Sequence, residues 1–195
     1  MKPFKVSKHS FLIFMQNNII EKALRMSAIA HNGQKRKEQD APYIIHPVAV
    51  ALLLAKNGFS DVVIASALVH DVLEDTSVTK EELQKELGKE ILSIVQSLSE
   101  NMSISWEERK TVYTETIRVG SEDVKAVSVG DKINNVQSML TAYEKIGPDL
   151  WKVFHRGKEK QIWFYESHLD MLKKTWNNPL VNEYENLVQK LKTLD

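Results

Sequence analysis

Apolar positions recur along this chain at helical spacing almost throughout. Ile19, Ile20, Ala23, Leu24, Met26, Ala28 and Ile29 predict a helix that ends near His31-Asn-Gly33, where glycine is a natural stop. Val48, Val50, Ala51, Leu53 and Leu54 predict a second, led in by Tyr43-Ile-Ile-His46-Pro47 and closed by Asn57-Gly58. Proline suits the first turn of that helix. Ser60 or Asp61 then caps a nearly unbroken apolar run, Val62 to Val69. A helix apolar on almost every side belongs in the interior. This one runs directly into His70, Asp71, Glu74 and Asp75. If it continues that far, His70 and Glu74 share one face and Asp71 and Asp75 another.

Further on, Thr79-Lys-Glu-Glu82 has the form of a capping box and opens a short helix to Leu87-Gly88. Glu90 to Leu98 predicts another, with a loop from Asn101 to Ser105. Trp106 starts a helix running towards Val119-Gly120. Ser121 caps the next, whose Val124, Ala126, Val127, Val129, Ile133, Val136 and Met139 are expected to bury one face. Asp149 to Lys174 reads as one long aromatic-rich helix, and 181 to 192 as a last amphipathic one. No segment sustains a two-residue alternation, and seven Gly and five Pro are few turn residues for 195. The expectation is an all-α fold, a single helical domain over residues 1–195 without linker or repeat.

Composition narrows the function. Lys plus Arg and Asp plus Glu are 26 each, so no net charge recruits a polyanion, and a nucleic-acid partner is not expected. The chain has no cysteine, which excludes disulfides, thiolate-bound zinc and thiol catalysis and fits a reducing cytoplasm. The apolar run Phe11 to Met15 is too short to span a bilayer, so no membrane partner is expected. Aromatic helices near the C-terminus could supply the face of a homo-oligomer.

The candidate chemistry begins at His70 and Asp71, which offer an imidazole nitrogen and a carboxylate to a divalent cation. His46 and Asp131 are further candidates. Asp131 lies in the otherwise apolar Val127-Ser-Val-Gly-Asp-Lys-Ile, where a carboxylate is costly unless paired or bound to a cation. Lys132 is adjacent, but neighbouring helical positions do not face each other. Two imidazoles and two carboxylates suit Mn²⁺, Fe²⁺ or Zn²⁺ and leave room for water. Lys35-Arg36-Lys37 is a local cationic cluster fit for phosphate. Glu74 and Asp75 are placed to act as base or to orient water. The sum is hydrolysis of a phosphoester or phosphoanhydride.

At these residues the chain resembles the HD-domain metal-dependent phosphohydrolases, and within them the hydrolase domain of bifunctional (p)ppGpp synthetase/hydrolases and the stand-alone small alarmone hydrolases. The motifs are Ala30-His31-Asn-Gly-Gln34-Lys-Arg36-Lys37, Pro42-Tyr-Ile-Ile-His46-Pro47, Leu68-Val-His70-Asp71-Val-Leu-Glu74-Asp75-Thr76 and Asp131-Lys-Ile-Asn-Asn135. They cover roughly residues 20–140, with C-terminal helices following over about 149–193. The resemblance implies an HD-domain bundle in which His46, His70, Asp71 and Asp131 hold one divalent metal, Mn²⁺ first and Fe²⁺ or Zn²⁺ as alternatives. It implies that Glu74 and Asp75 are catalytic, and that Arg36, Lys37, Arg109, Lys110, Asn135 and Ser138 bind the nucleotide. The implied reaction is removal of the 3′-pyrophosphate of (p)ppGpp by a metal-activated water, in the cytoplasm. Another nucleotide or phosphoester, such as a nucleoside monophosphate or NADPH, is the alternative substrate. A non-catalytic nucleotide-binding signalling module is the alternative class. His31 matches a position taken as structural, tying two helices together. The last motif reads Gly130-Asp-Lys-Ile-Asn-Asn where the family has Ala-Asp-(Arg/Lys)-Leu-His-Asn, a departure expected to border the base pocket rather than the metal.

Overall fold

The computed structural model describes residues 18–36 and 40–195. The apolar run at Phe11–Met15 and the candidate Lys37 lie outside these described residues. Helices α1 (Ile19–Ala30), α2 (Ile45–Lys56) and α3 (Asp61–Leu68) follow the apolar spacing closely. Asn18 and Ser60 each cap an open backbone N–H of the first turn. After the short α4 (Val72–Asp75) come α5 (Lys80–Leu87), α6 (Lys89–Leu98) and α7 (Trp106–Val119). The capping box of Thr79 and Glu82 opens α5, and a second, Ser105 with Glu108, opens α7. The long α8 (Glu122–Ile146) leads through a single 3₁₀ turn, Gly147–Asp149, to α9 (Leu150–Val153), α10 (Gly157–Thr175) and α11 (Pro179–Lys192). Among the described residues there is no strand, only one antiparallel bridge between Lys35 and Pro42. None of their helices is long and apolar enough to cross a membrane.

Two helices make the centre. α3 packs against α1, α2, α6 and α8, and α8 also lies against α2, α6, α7, α9 and α11. The one-faced α8 expected from the sequence is corrected here, since every residue from Val124 to Ile133 is buried. Its charged members, Lys125, Asp131 and Lys132, must therefore find partners inside. Gly130 is what lets α8 approach α2. A Cβ there would stand 3.1 Å from Val50 Cγ1 and 3.4 Å from Leu54, tighter than ordinary packing. That close crossing sets Asp131 beside His46.

Two expected helices are broken. The central helix ends at Leu68, and Val69, His70 and Asp71 form a turn before α4. The expected helix from Asp149 to Lys174 is interrupted between α9 and α10, where Gly157 adopts φ +68. Glycine takes that conformation without the Cβ penalty, so this second break had a readable signal.

Candidate active site

The break after α3 creates the site. A helix end leaves its last carbonyls without intrahelical partners. One of them, Ala67 O, accepts a hydrogen bond of 2.7 Å from His70 Nδ1. With its proton on Nδ1, His70 turns Nε2 inward. That atom is buried and has no properly angled hydrogen bond, though Asp71 Oδ2 stands 3.1 Å away. His46 enters from the first turn of α2 and is only 2% exposed. Its Nδ1 donates to Asn134 Oδ1 at 2.7 Å, which again leaves Nε2 facing the centre. Asp131 Oδ1 lies 3.2 Å from His46 Nε2 and 3.8 Å from His70 Nε2. Asp71 Oδ2 lies 3.6 Å from His46 Nε2.

The donor atoms of His46, His70 and Asp131 thus fall within 4.8 Å of one another, with Asp71 adjoining both imidazoles. Two inward Nε2 atoms facing two carboxylates fit a divalent cation, and each imidazole is held from behind as metal ligands usually are. Electrostatics agree. Burial alone would raise the Asp131 pKa, but the Lys132 ammonium and both imidazoles hold it well below the carboxylate range. Burial also disfavours a charged His70, yet with no cation present Asp71 and Asp131 push its pKa up. Without a metal the Lys132 ammonium and a proton on His70 offset the two carboxylates, and a bound cation would take the place of that proton.

Lys132 corrects an expectation. Its four-carbon stem folds back so that Nζ meets Asp131 Oδ2 at 2.6 Å, with both side chains largely buried. Adjacent Cβ atoms diverge on a helix, but a long flexible stem closes that gap. Asp131 Oδ2 is thereby engaged, while Oδ1 faces the imidazoles and accepts from Asn135 Nδ2 at 2.5 Å. A second correction concerns the Asn134 departure from the family motif. It lies behind the candidate metal ligand His46, not at the base pocket.

The donors floor a chamber of about 200 Å³ that also includes Glu74, Asp75, Glu100, Lys110 and Asn135 in its wall. Burial raises the Glu74 pKa, and its Oε2 accepts from the Glu100 backbone N–H at 3.0 Å. Tyr43 donates to Asp71 Oδ2 at 2.5 Å and lies 3.1 Å from Asp75 Oδ2. Arg36 is held by backbone bonds on either side, its N–H bonded to Ala41 O and Tyr43 N–H bonded to Gln34 O. The guanidinium sits 5.7 Å from the Tyr43 ring centre and donates to Asn135 Oδ1 at 2.9 Å. A second chamber of about 300 Å³ adjoins, walled by Arg36 and Asn135 on one side and Trp106, Phe154, Phe164 and Tyr165 on the other. A third, of about 750 Å³, runs past Arg109, Arg156 and His155.

Of the sequence candidates, His46, His70, Asp71, Glu74, Asp75, Lys110, Asp131, Arg36 and Asn135 all line the metal chamber. Arg109 lines only the largest chamber, 3.8 Å from Glu100 and bonded to Met102 Sδ. Ser138 is half-buried and lines none of the three. His31 joins the end of α1 to the site segments: it stacks on Tyr43 at 4.6 Å and bonds Gln34, which reaches Asp75 O. Glu100 had no distinguishing sequence signal as a site residue, while Tyr43 and Asn134 lay inside recognised motifs without an assigned role.

A helical bundle with two histidines and two aspartates gathered at one helix break is the arrangement of an HD domain, and residues 23–154 match the HD domain family. The chain belongs to that family. It is 34% identical over 146 residues to the guanosine-3′,5′-bis(diphosphate) 3′-pyrophosphohydrolase of Aquifex aeolicus, covering 73% of this chain but only 19% of that protein. It is 32% identical over 136 residues to the MESH1 pyrophosphohydrolase of Xenopus tropicalis, covering 68% of this chain and 74% of that one. A solved structure of a metazoan ortholog of SpoT superposes with a TM-score of 0.75 over 96% of this chain and 98% of the other, at 21% identity. That likeness carries the all-α bundle through to the C-terminal helices.

Proposed function

We propose that this protein is a metal-dependent nucleotide phosphohydrolase that removes the 3′-diphosphate of (p)ppGpp, with all 195 residues forming one HD-type domain. The observation that carries the reading is the convergence of two inward-facing imidazole Nε2 atoms with Asp131 and Asp71 on the floor of a chamber whose rim bears Glu74, Asp75, Arg36 and Lys110. Relatives at 32–34% identity named as (p)ppGpp 3′-pyrophosphohydrolases supply the substrate.

A divalent ion held by His46, His70, Asp71 and Asp131, Mn²⁺ before Fe²⁺ or Zn²⁺, would supply the Lewis acidity that activates a water and polarises the phosphoryl group. Glu74 and Asp75 orient that water and take up its proton, and a raised Glu74 pKa suits a base working nearer neutrality. Arg36, steadied by Tyr43 and Asn135, offers its guanidinium to the base or a phosphate, and Lys37 adjoins it in sequence. Lys110 and Arg109 offset charge on the departing diphosphate. Water adds to phosphorus, the bond to the ribose 3′ oxygen breaks, the proton taken from water passes to that oxygen, and a nucleoside 5′-phosphate compound with a free 3′-hydroxyl and pyrophosphate leave. The aromatic wall supplied from α7, α10 and the segment before α10 encloses the nucleotide. A cytoplasmic setting is consistent with a nucleotide substrate and with a chain that has no cysteine.

The chamber's own charge links substrate to metal. Asp71, Glu74, Asp75, Glu100 and Asp131 outnumber Arg36, Lys110 and Lys132 in its wall. A diphosphate entering without a cation meets net repulsion. The deciding experiment assays ppGpp, a nucleoside monophosphate and NADPH with Mn²⁺, alongside metal analysis of the purified protein. One pyrophosphate per ppGpp consumed is expected. Phosphate from NADPH with intact ppGpp would replace the substrate, and tight binding without turnover would replace the class.

A further inference from the structure

Lys110 and Asp75 are the two residues shared by the walls of all three chambers. Lys110 is therefore the cation at their junction. Its surroundings are unusual for a buried ammonium. One carboxylate, Glu100, bonds it directly. Otherwise it faces rings: its Nζ sits 4.6 Å from the centre of Phe164 and 5.7 Å from that of Trp106. Lys132 Nζ lies 5.4 Å from the same Phe164 ring and 4.6 Å from Tyr113. Phe164 is thus contacted by two ammonium groups that repel each other, and both burial and the Lys132 charge lower the Lys110 pKa.

The ring itself cannot drift. Phe164 is 3% exposed and packs edgewise or tilted against Trp106, Tyr113, Tyr165 and His168 at centroid distances of 5.5–6.3 Å. Tyr113 is fixed in turn by its hydroxyl on Ser128, which also bonds His168 Nε2. A π-face attracts a cation without presenting an anion. It can hold a lysine in place while leaving most of the charge available to a phosphate, which a second carboxylate would not.

We propose that Phe164 is a positioning residue, whose ring face keeps the Lys110 ammonium at the chamber junction, charged and aimed at the diphosphate of the substrate. The inference rests on the phosphohydrolase reading for its substrate, but not for its binding test. Without the π-face, Lys110, already paired with Glu100, is drawn further towards Glu74, and less of its charge stays turned to the junction.

The test replaces Phe164 in the full-length protein by mono-, di- and trifluorophenylalanine and by cyclohexylalanine, which keep the ring's bulk and progressively remove its negative face. Two quantities are read: the affinity of the Mn²⁺-loaded protein for inorganic pyrophosphate, and kcat and KM for ppGpp. The expected result is a stepwise fall in pyrophosphate affinity with fluorine number, reaching roughly threefold to thirtyfold for cyclohexylalanine. KM should rise in parallel while thermal stability stays level along the fluorinated series. Equal pyrophosphate affinity for phenylalanine and cyclohexylalanine would overturn the inference, even in an enzyme that hydrolyses ppGpp. A graded loss of pyrophosphate affinity in a protein inert towards ppGpp would uphold it and remove the substrate assignment instead.

Discussion

At the candidate metal end of the cleft the donors are held by hydrogen bonds and an ion pair, whereas at the proposed nucleotide end Arg36 and Lys110 each combine a polar partner with a ring face. His70 is held through Ala67 O, His46 through Asn134 and Asp131 through Lys132 and Asn135. Arg36 lies over Tyr43, and Lys110 over Phe164 and Trp106. The first arrangement fixes the orientation of the ligand side chains, as coordination needs. The second holds a charge in place without matching it with a further anion, as suits a substrate that must enter and leave. One end is built for geometry and the other for electrostatics.

The contrast can be broken most severely at the floor. His70→Ala is expected to reduce ppGpp hydrolysis by several orders of magnitude and to lower metal content, while far-ultraviolet circular dichroism stays near wild type. Full turnover by this variant in metal-free buffer would end the proposal. Glu74→Gln touches the next layer. It should lower kcat by about 10²–10⁴-fold with metal content unchanged, which separates a proton-handling role from a coordinating one. Chelation of the wild-type protein should weaken nucleotide binding as well as stop turnover, because acidic side chains then outnumber basic ones in the chamber wall; unchanged affinity in calorimetry would contradict that charge argument.

Asn134→Ala addresses the support of His46 alone. Metal affinity should drop by about 10–100-fold, the usual cost of losing such a partner. If titration shows no change, the bond from His46 Nδ1 matters only to packing. The smallest effect on metal binding and turnover is expected at His168, which is fully buried and whose pKa is pushed down to about 3, first by burial and then by the Lys132 charge. The unfolded chain takes up this proton near pH 6.5 and the folded one does not. Stability from this group is therefore complete above about pH 6.5 and is lost as pH falls towards 3, at up to about 1.4 kcal/mol per pH unit. His168→Phe should flatten that slope in denaturant titrations between pH 6.5 and 4.5, and parallel curves for the two proteins would argue against it.

The order of the helices was legible because periodicity and capping act over four residues or fewer. Thr79 with Glu82 and Ser60 before the central helix behave as their side chains dictate. Gly157 carried a stop that the apolar spacing on either side of it concealed. The break after Leu68 had no such mark, since neither glycine nor proline occurs between Ser66 and Thr76. There the chain gives up helical bonds so that His70 can turn Nε2 inward beside Asp71.

By itself, then, the sequence determined which residues could serve: the two imidazoles, the carboxylates and the basic run, each in a recognisable motif. Only the tertiary structure decided how they meet. His46, His70 and Asp131 lie far apart along the chain, and their separation in space depends on how α2, α3 and α8 cross, with Gly130 at the closest point. Lys132 reaching back to Asp131, Asn134 behind His46 and Phe164 beneath two ammonium groups are contacts of the same kind. Local rules act through neighbours in sequence, whereas these contacts arise from packing between helices, which no short window of residues contains.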